Sequence, residues 1–258
     1  MSVLIVSDDN RLIHLHALVK FYNNDIKEVN VNNLHKWAAI SALVEASLYI
    51  GAFIFFGAIW DFPSHGSIIT KLSYLSDNHT SLFMVHVLLY LLFGVLLAII
   101  VQSIQEHLTP KAERLAKLAA VFGYIWVALV ITSGMLANIG LDVVIGMAAT
   151  KPEQAWMIWL VIDTVVEGIG GGNEIVGGLW VLILSIAAIK TGEFSRALNL
   201  LGIFVGGAGV MTIYPAEVFT EIFGLSQIIW FIALAIELLK SHKLSTQLTP
   251  NPPLVSNG

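Results

Sequence analysis

The stretch that decides the fold is Gly170-Gly171-Gly172-Asn173-Glu174-Ile175-Val176-Gly177-Gly178-Leu179-Trp180. Three consecutive glycines predict a helix break, because glycine loses more backbone entropy in a helix than any other residue. Asn173 is a favourable N-cap for a new helix, and Glu174 would lie in its first turn, where the helix dipole favours negative charge. The chain then stays apolar as far as Ile189. The stretch therefore predicts a carboxylate at the entrance of a broken helix, at the rim of a membrane.

The composition around this stretch indicates a membrane protein. Apolar residues make up 57% of the 258-residue chain and charged residues only 12%, whereas soluble domains have about a quarter of their residues charged. There is no cysteine, which excludes disulfides, zinc–thiolate sites and thiol nucleophiles. The net charge of −5 and the lack of a basic block exclude nucleic acid as an expected partner.

Apolar segments long enough to approach the thickness of a bilayer recur along the chain. They predict an all-α integral membrane protein, a bundle of six transmembrane helices with seven as the alternative. The predicted spans are Trp37–Ile59, His79–Ile104, Lys117–Ile139, Glu174–Ile189, Ala197–Tyr214 and Ile222–Leu239. The predicted organisation is a cytoplasmic N-terminal segment at 1–36 with a short amphipathic helix at Leu12–Phe21, the bundle at 37–240, and a disordered cytoplasmic tail at 241–258.

Ala155–Gly168 is apolar but short, and the placement of Lys and Arg bears on whether it crosses. Eleven of the thirteen basic residues lie in the N-terminal segment, the connections after the second and fourth spans, and the C-terminal part. Cytoplasmic loops carry such an excess, so the chain must cross an odd number of times between Lys151 and Lys190. We therefore predict an outer-side interfacial or re-entrant helix at Ala155–Gly168, followed by one crossing. The lipid bilayer is then the first partner, in the plasma (cell inner) membrane, with both termini cytoplasmic.

This topology places nine of the eighteen acidic residues on the outer side. They are Asp61, Asp77, Asp142, Glu153, Asp163, Glu167, Glu174, Glu217 and Glu221. A negative face raises the local concentration of cations. Asp163 and Glu167 are four residues apart, as are Glu217 and Glu221, so each pair shares a helix face. Such carboxylates suit hard metal ions, but solvated acids give the same pattern, and the question of a metal stays open.

Glu45 lies near the middle of the first span. An ionised side chain there costs on the order of 3 kcal/mol, so Glu45 is expected to be protonated or to face a partner or cavity. Ser41 and Tyr49 lie four residues on either side, on the same helix face. Glu45 has either a proton- or cation-handling role or the role of a neutral hydrogen-bond donor between helices.

His79 and His86 lie seven residues apart in the second span, with Tyr90 on the same face. A haem held by two histidines needs ligands on both sides of the ring, and no other histidine falls inside a predicted span. We therefore expect no cofactor. His86 is interpreted as a hydrogen-bonded polar residue inside the bundle, or as half of a proton relay with Tyr90 or Glu45.

Glycines in the fifth span predict close helix packing. Gly202 and Gly206 share one face, and small residues at this spacing let backbones approach in lipid. Gly177 and Gly178 are the predicted partner surface.

The segment from Gly170 to Leu239 resembles a known family. Its Gly171-Gly172-Asn173-Glu174, Gly177-Gly178-Leu179-Trp180, Arg196-Ala197-Leu198-Asn199, Gln227 and Trp230-Phe231 are similar to the uncharacterised prokaryotic multi-pass membrane proteins grouped as domain of unknown function 4386. The resemblance implies a bundle of six or seven spans. It implies no activity and no functional residues.

The leading functional expectation is a non-enzymatic membrane protein that binds or passes a small solute, cation or proton. Its site would be an outer acidic vestibule lined by Glu45, Asp163, Glu167, Asn173 and Glu174, with His86 and Tyr90 assisting. One alternative is a small structural or accessory subunit that joins partner membrane subunits or forms a homo-oligomer. The other is a membrane enzyme that acts on lipid, which would need a base and a nucleophile.

Overall fold

The computed structural model describes residues 33–214 and 216–248, and their side chains apart from 171–173 and 242–248. Within this part of the chain the regular structure is helical, without a strand. Helix α1 spans Asn33–Ile59 and ends in a π-helical turn, Phe55–Ile59. The predicted amphipathic helix at Leu12–Phe21 lies outside the described residues.

The second and third predicted spans form one helical hairpin. The helix begins as His79–His86, continues through the π-helical Val87–Leu92 and runs on as Phe93–Ala148. Ala112 has non-helical dihedrals, φ −141° and ψ 49°, two residues after Pro110, which cannot donate a helical hydrogen bond. We call 79–111 α3 and 113–148 α4.

Contacts between α3 and α4 show that the two segments run antiparallel. A Cβ at Gly94 would lie 2.5 Å from the Ile131 side chain, and one at Gly134 would lie 2.5 Å from Tyr90 Cβ. In a straight helix residues 90 and 134 would be about 66 Å apart. The chain therefore folds back at Ala112, as the separate spans His79–Ile104 and Lys117–Ile139 predicted.

The remaining helices are α2 (Ile68–Asp77), α5 (Pro152–Thr191), α6 (Arg196–Met211) and α7 (Glu217–Leu248). Helix α2 was not predicted, and Ser67 caps it by accepting a hydrogen bond from the Thr70 amide at 3.2 Å. Helix α1 begins at Asn33, within the segment assigned to the N-terminal tail. Helix α7 continues to Leu248, so the part of the predicted disordered tail before residue 249 is helical.

The predicted helix break at Gly170–Gly172 is wrong. Helix α5 runs without interruption from Pro152 to Thr191, so Asn173 is not an N-cap, and Ala155–Gly168 is the first half of the same helix rather than a separate interfacial or re-entrant one. The glycine penalty is about 1 kcal/mol per residue in water. Packing on both sides of the glycines outweighs this penalty, since Ile162 packs on Gly140 of α4 and Gly178 packs on Gly209 of α6.

The predicted close packing of glycines on α5 and α6 is confirmed. A Cβ at Gly178 would lie 2.8 Å from the Gly209 Cα, and one at Gly206 would lie 2.8 Å from the Gly178 carbonyl oxygen. Gly202 faces Ser185 in the same interface. Gly177 instead faces the Trp126 ring on α4.

Two hydrophobic clusters hold the helices together. The larger joins α1 and α3–α7, with Trp126, Trp180 and Trp230 at its centre. The smaller joins α2 to the start of α3, the end of α4 and the start of α5, and contains Leu75 and Leu141. The long helices thus extend beyond the main bundle into a second packed layer.

Four helical segments of the described chain are long and apolar enough to cross a membrane. They are Asn33–Ile59, His79–Ala148, Pro152–Thr191 and Glu217–Ser241. Arg196–Met211 is apolar but shorter. Many large apolar side chains on these helices are exposed, including Ile139, Phe204 and Ile229. Such a surface is typical of helices that face lipid.

Candidate functional site

One face of α5 carries three carboxylates. Asp163, Glu167 and Glu174 are separated by four and seven residues, so they project from the same side of the continuous helix. Asp163 and Glu167 are exposed, and Glu174 is half-buried. The three span about 16 Å along the helix axis. The helix therefore presents a line of acids that runs from its exposed part toward the bundle.

Helix α6 ends level with Glu174. A Cβ at Gly209 would lie 2.8 Å from the Glu174 carbonyl oxygen, and α6 ends at Met211. Residues of α5 that precede Glu174 therefore extend past the end of α6. From the first turns of α7, the Thr220 hydroxyl donates a 3.1 Å hydrogen bond to the Glu174 carboxylate.

Glu45 is completely buried in α1, with 0% of its surface exposed. Neither of its carboxyl oxygens has a hydrogen-bond partner in the described part of the chain. Tyr49, one turn along α1, interacts electrostatically with both Glu45 and Glu174. The Tyr49 ring packs edge-on against Phe93 at 5.6 Å, which fixes the side chain within the main bundle. Tyr49 is thus within electrostatic range of the buried acid of α1 and of Glu174 on α5.

His86 and Tyr90 join the same neighbourhood from α3. The buried His86 forms a 2.9 Å hydrogen bond between its Nδ1 and Asn138 Oδ1 on α4. Because an amide oxygen accepts, His86 Nδ1–H donates. The Tyr90 ring lies 5.8 Å from the His86 ring, and Tyr90 interacts electrostatically with Glu167 and Asp163. The interpretation of His86 as a hydrogen-bonded residue inside the bundle is confirmed.

Six of the seven predicted site residues thus fall into two groups, Glu45 with Glu174 within electrostatic range of Tyr49, and Asp163 and Glu167 with His86 around Tyr90. The seventh, Asn173, has a side chain outside the described part of the structure. Glu217 and Glu221 are exposed near the start of α7. Between residues 33 and 248, apart from position 215 and the side chains left out, no group of three or more His, Asp or Glu side chains could hold a metal ion.

A second polar cluster, at the opposite end of α5, was not predicted. Glu193, in the turn between α5 and α6, accepts a 2.8 Å hydrogen bond from His107 Nε2 and forms an ion pair with Lys111, both on the last turns of α3. The side-chain amide of Asn199 donates a 2.9 Å hydrogen bond to the backbone carbonyl oxygen of Glu193. We call Glu193, Phe194, His107 and Lys111 the turn cluster.

The electrostatics of the turn cluster favour an ionised Glu193. Partial burial alone would raise the pKa of its carboxyl group, but the hydrogen bonds from Lys111 and His107 and their positive charge outweigh burial and lower the pKa below its ordinary value of 4.5. No local pattern indicates this pairing, because His107 and Glu193 are 86 residues apart and both lie outside the predicted spans.

Comparison with known proteins adds no further assignment. No family model, no curated protein and no solved structure matches this chain.

Proposed function

We propose that the chain crosses the inner membrane six times, with its N-terminus and its C-terminus on the cytoplasmic side. The antiparallel α3–α4 hairpin makes two crossings of the segment His79–Ala148, and α1, α5, α6 and α7 supply the other four. The Lys- and Arg-rich ends would then face the cytoplasm. Membership of the family called domain of unknown function 4386, which the segment from Gly170 to Leu239 resembles, is part of this proposal.

We further propose that the protein binds or passes a small cation or a proton along the acidic face of α5 toward Glu45. The observation that carries the proposal is the complete burial of Glu45 without a hydrogen-bond partner among the described residues. A carboxyl group in the apolar middle of a bundle costs free energy, and residues of this kind usually serve a function. A proton or cation that reaches Glu45 would neutralise the charge.

The order of the acids supports a direction for this path. Asp163 and Glu167 are exposed, Glu174 is half-buried, and Glu45 is fully buried. The exposed acids would raise the local cation concentration at the outer side. Glu174, held by Thr220, would be the intermediate position, and Tyr49 would connect it with Glu45.

The experiment is a flux measurement on purified protein in lipid vesicles. Proton entry is followed with a trapped pH-sensitive dye, and Na⁺, K⁺ and Mg²⁺ entry with the corresponding indicators. Glu45→Gln and Glu174→Gln should lower the flux to the background of protein-free vesicles. Glu113→Gln is the matched control, because Glu113 is an exposed acid paired with Lys117 at the far end of the hairpin. Unchanged flux in Glu45→Gln, or no flux of any tested ion through the wild type, would contradict the proposal.

A specific observation also favours the accessory-subunit alternative. On the outward face of the α3–α4 hairpin, the exposed Tyr124 donates a 2.5 Å hydrogen bond to Gln102, which donates to Glu106. Polar side chains on an apolar helix surface are typical of contacts with another membrane helix. A subunit should remain with stoichiometric partners when purified from native membrane in mild detergent, and Tyr124→Leu should release them. Purification as a single chain would contradict this alternative.

A further inference from the structure

The turn cluster, together with the adjacent His35, joins three parts of the fold that are distant in sequence. His107 and Lys111 lie on α3, Glu193 and Phe194 form the α5–α6 turn, and His35 of α1 places its ring edge-on to His107 at 5.2 Å. The Phe194 ring stacks on His107 at 4.8 Å with an angle of 14° between the planes. One imidazole therefore contacts the turn through both a hydrogen bond and a ring stack.

The backbone of the turn shows that these contacts hold it in a particular conformation. Phe194 has φ 55°, in the left-handed region that a bulky side chain rarely adopts. Gly192, two residues earlier, also has a positive φ, 71°, and ends α5. Strained backbone persists where the surroundings determine it. Here the surroundings are the His107 stack, the pairing of Glu193 and the bond from Asn199.

The charge of the imidazole decides how strongly Glu193 is held. A protonated imidazole holds the Glu193 carboxylate by an ion pair as well as by a hydrogen bond, whereas a neutral imidazole keeps only the hydrogen bond to the same carboxylate. Imidazoles ordinarily change charge between pH 5 and 8. A lysine ammonium keeps its charge through this range. Within the described part of the chain, His107 contacts the Glu193 carboxylate on the turn and the His35 ring on α1, and Lys111 pairs with the same carboxylate.

We propose that the turn cluster is a pH-sensitive latch, in which protonated His107 fastens the α5–α6 turn to the end of α3 and loss of that proton loosens it. Because the turn connects α5 with α6, the latch controls how firmly the inner ends of these two helices are anchored. The inference does not depend on a transport role for the acidic face.

The test is amide hydrogen exchange of residues 192–199 in the full-length protein, measured at pH 5.5 and pH 8 and corrected for the intrinsic exchange rate. The wild type should lose about fivefold in protection between the two values, the upper end of what the loss of one partly exposed ion pair gives. His107→Gln retains a neutral donor and should make protection independent of pH.

Two matched variants separate this effect from a general loss of contacts. Lys111→Gln removes a charge from the same carboxylate, so it should lower protection at both pH values and keep the wild-type ratio. His35→Gln should also keep the ratio. Glu193→Gln keeps the length of the side chain, removes its charge and should abolish the pH dependence. It provides a second test if His107→Gln fails to fold.

The latch is overturned if the wild type shows equal protection at both pH values. It is also overturned if His107→Gln or Glu193→Gln retains the wild-type ratio, or if His35→Gln removes it.

Discussion

The contact between α5 and α6 predicts a large difference between two neighbouring glycines. A Cβ added at Gly206 would lie 2.6 Å from the Leu182 Cβ and 2.7 Å from the Leu182 amide nitrogen, whereas one at Gly207 would meet nothing within 4 Å. Both positions lie inside α6. Gly206→Ala and Gly207→Ala therefore gain the same helix propensity, and they differ only in what the new methyl group contacts.

The magnitude follows from this geometry. To reach an ordinary contact of 3.4 Å from 2.6 Å, α5 and α6 must separate by about 0.8 Å at Gly206. The neighbouring atoms belong to backbone and Cβ, so a change of rotamer cannot relieve the clash. Overpacking of this kind costs about 1–3 kcal/mol. For a chain of this length each kcal/mol corresponds to about 2–4 °C in Tm.

The assay is thermal unfolding of both variants in the same detergent, followed by tryptophan fluorescence, since Trp180 and Trp230 lie near this interface. Gly206→Ala should unfold at a temperature about 2–12 °C lower than Gly207→Ala. Gly207→Ala should match or exceed the wild type, because alanine favours the helix over glycine. Equal unfolding temperatures for the two variants would refute the close approach of α5 and α6.

Four further predictions concern hydrogen-bonding groups. Because the pKa of Glu193 is lowered in the folded state, its pairing stabilises the fold above about pH 4.5 and this contribution is lost as the pH falls further; acid titration of stability should therefore be flatter below that value in Glu193→Gln than in the wild type. Asn138→Leu leaves the buried His86 Nδ1–H without its acceptor and should lower the free energy of unfolding by about 1–3 kcal/mol, measured by denaturant titration. Ser133→Ala, which removes a buried hydroxyl without a partner among the described residues, should be neutral or stabilising in the same titration. Ser195 accepts a hydrogen bond from the Leu198 amide at the start of α6, so Ser195→Ala should cost about 1 kcal/mol and Ser195→Gly only a few tenths; equal losses would show that the cap is unimportant.

Hydropathy and glycine spacing predicted the features that depend on local pattern. A helix is present at each of the six predicted spans, although α6 ends at Met211, before the predicted end at Tyr214. The Gly177–Gly178 and Gly202–Gly206 pairs gave the α5–α6 contact through Gly178. Spacing is sufficient in these cases because a helix has a fixed period, and small residues at that period produce a flat surface.

The predicted helix break failed because propensity was applied outside its range. Glycine propensities describe helices in water, where solvent replaces a lost backbone hydrogen bond. Propensity is a weak indicator that tertiary packing overrides, and α5, packed on α4 before the glycines and on α6 after them, continues through Gly170–Gly172. As a consequence Asp163, Glu167 and Glu174 share one continuous face, which a break would not have given.

The turn cluster and α2 could not be predicted for a different reason. Glu193 meets its partners only because the α3–α4 hairpin and α5 bring distant residues to the same end of the bundle. No period in the sequence connects residues 107 and 193. Helix α2 is short and carries Lys71 and Asp77, so hydropathy alone did not distinguish it from a loop.

The short length of α6 has a consequence for the surrounding lipid. Its 16 residues extend over about 24 Å, less than the roughly 30 Å of a typical hydrocarbon core. With α6 as one of the six proposed crossings, a surrounding bilayer would have to thin, or admit water, beside the α6–α7 connection at the level of Glu174. Hydrophobic mismatch of this kind sorts proteins between membranes of different thickness, so short-chain lipids should accommodate α6 with less deformation than long-chain ones.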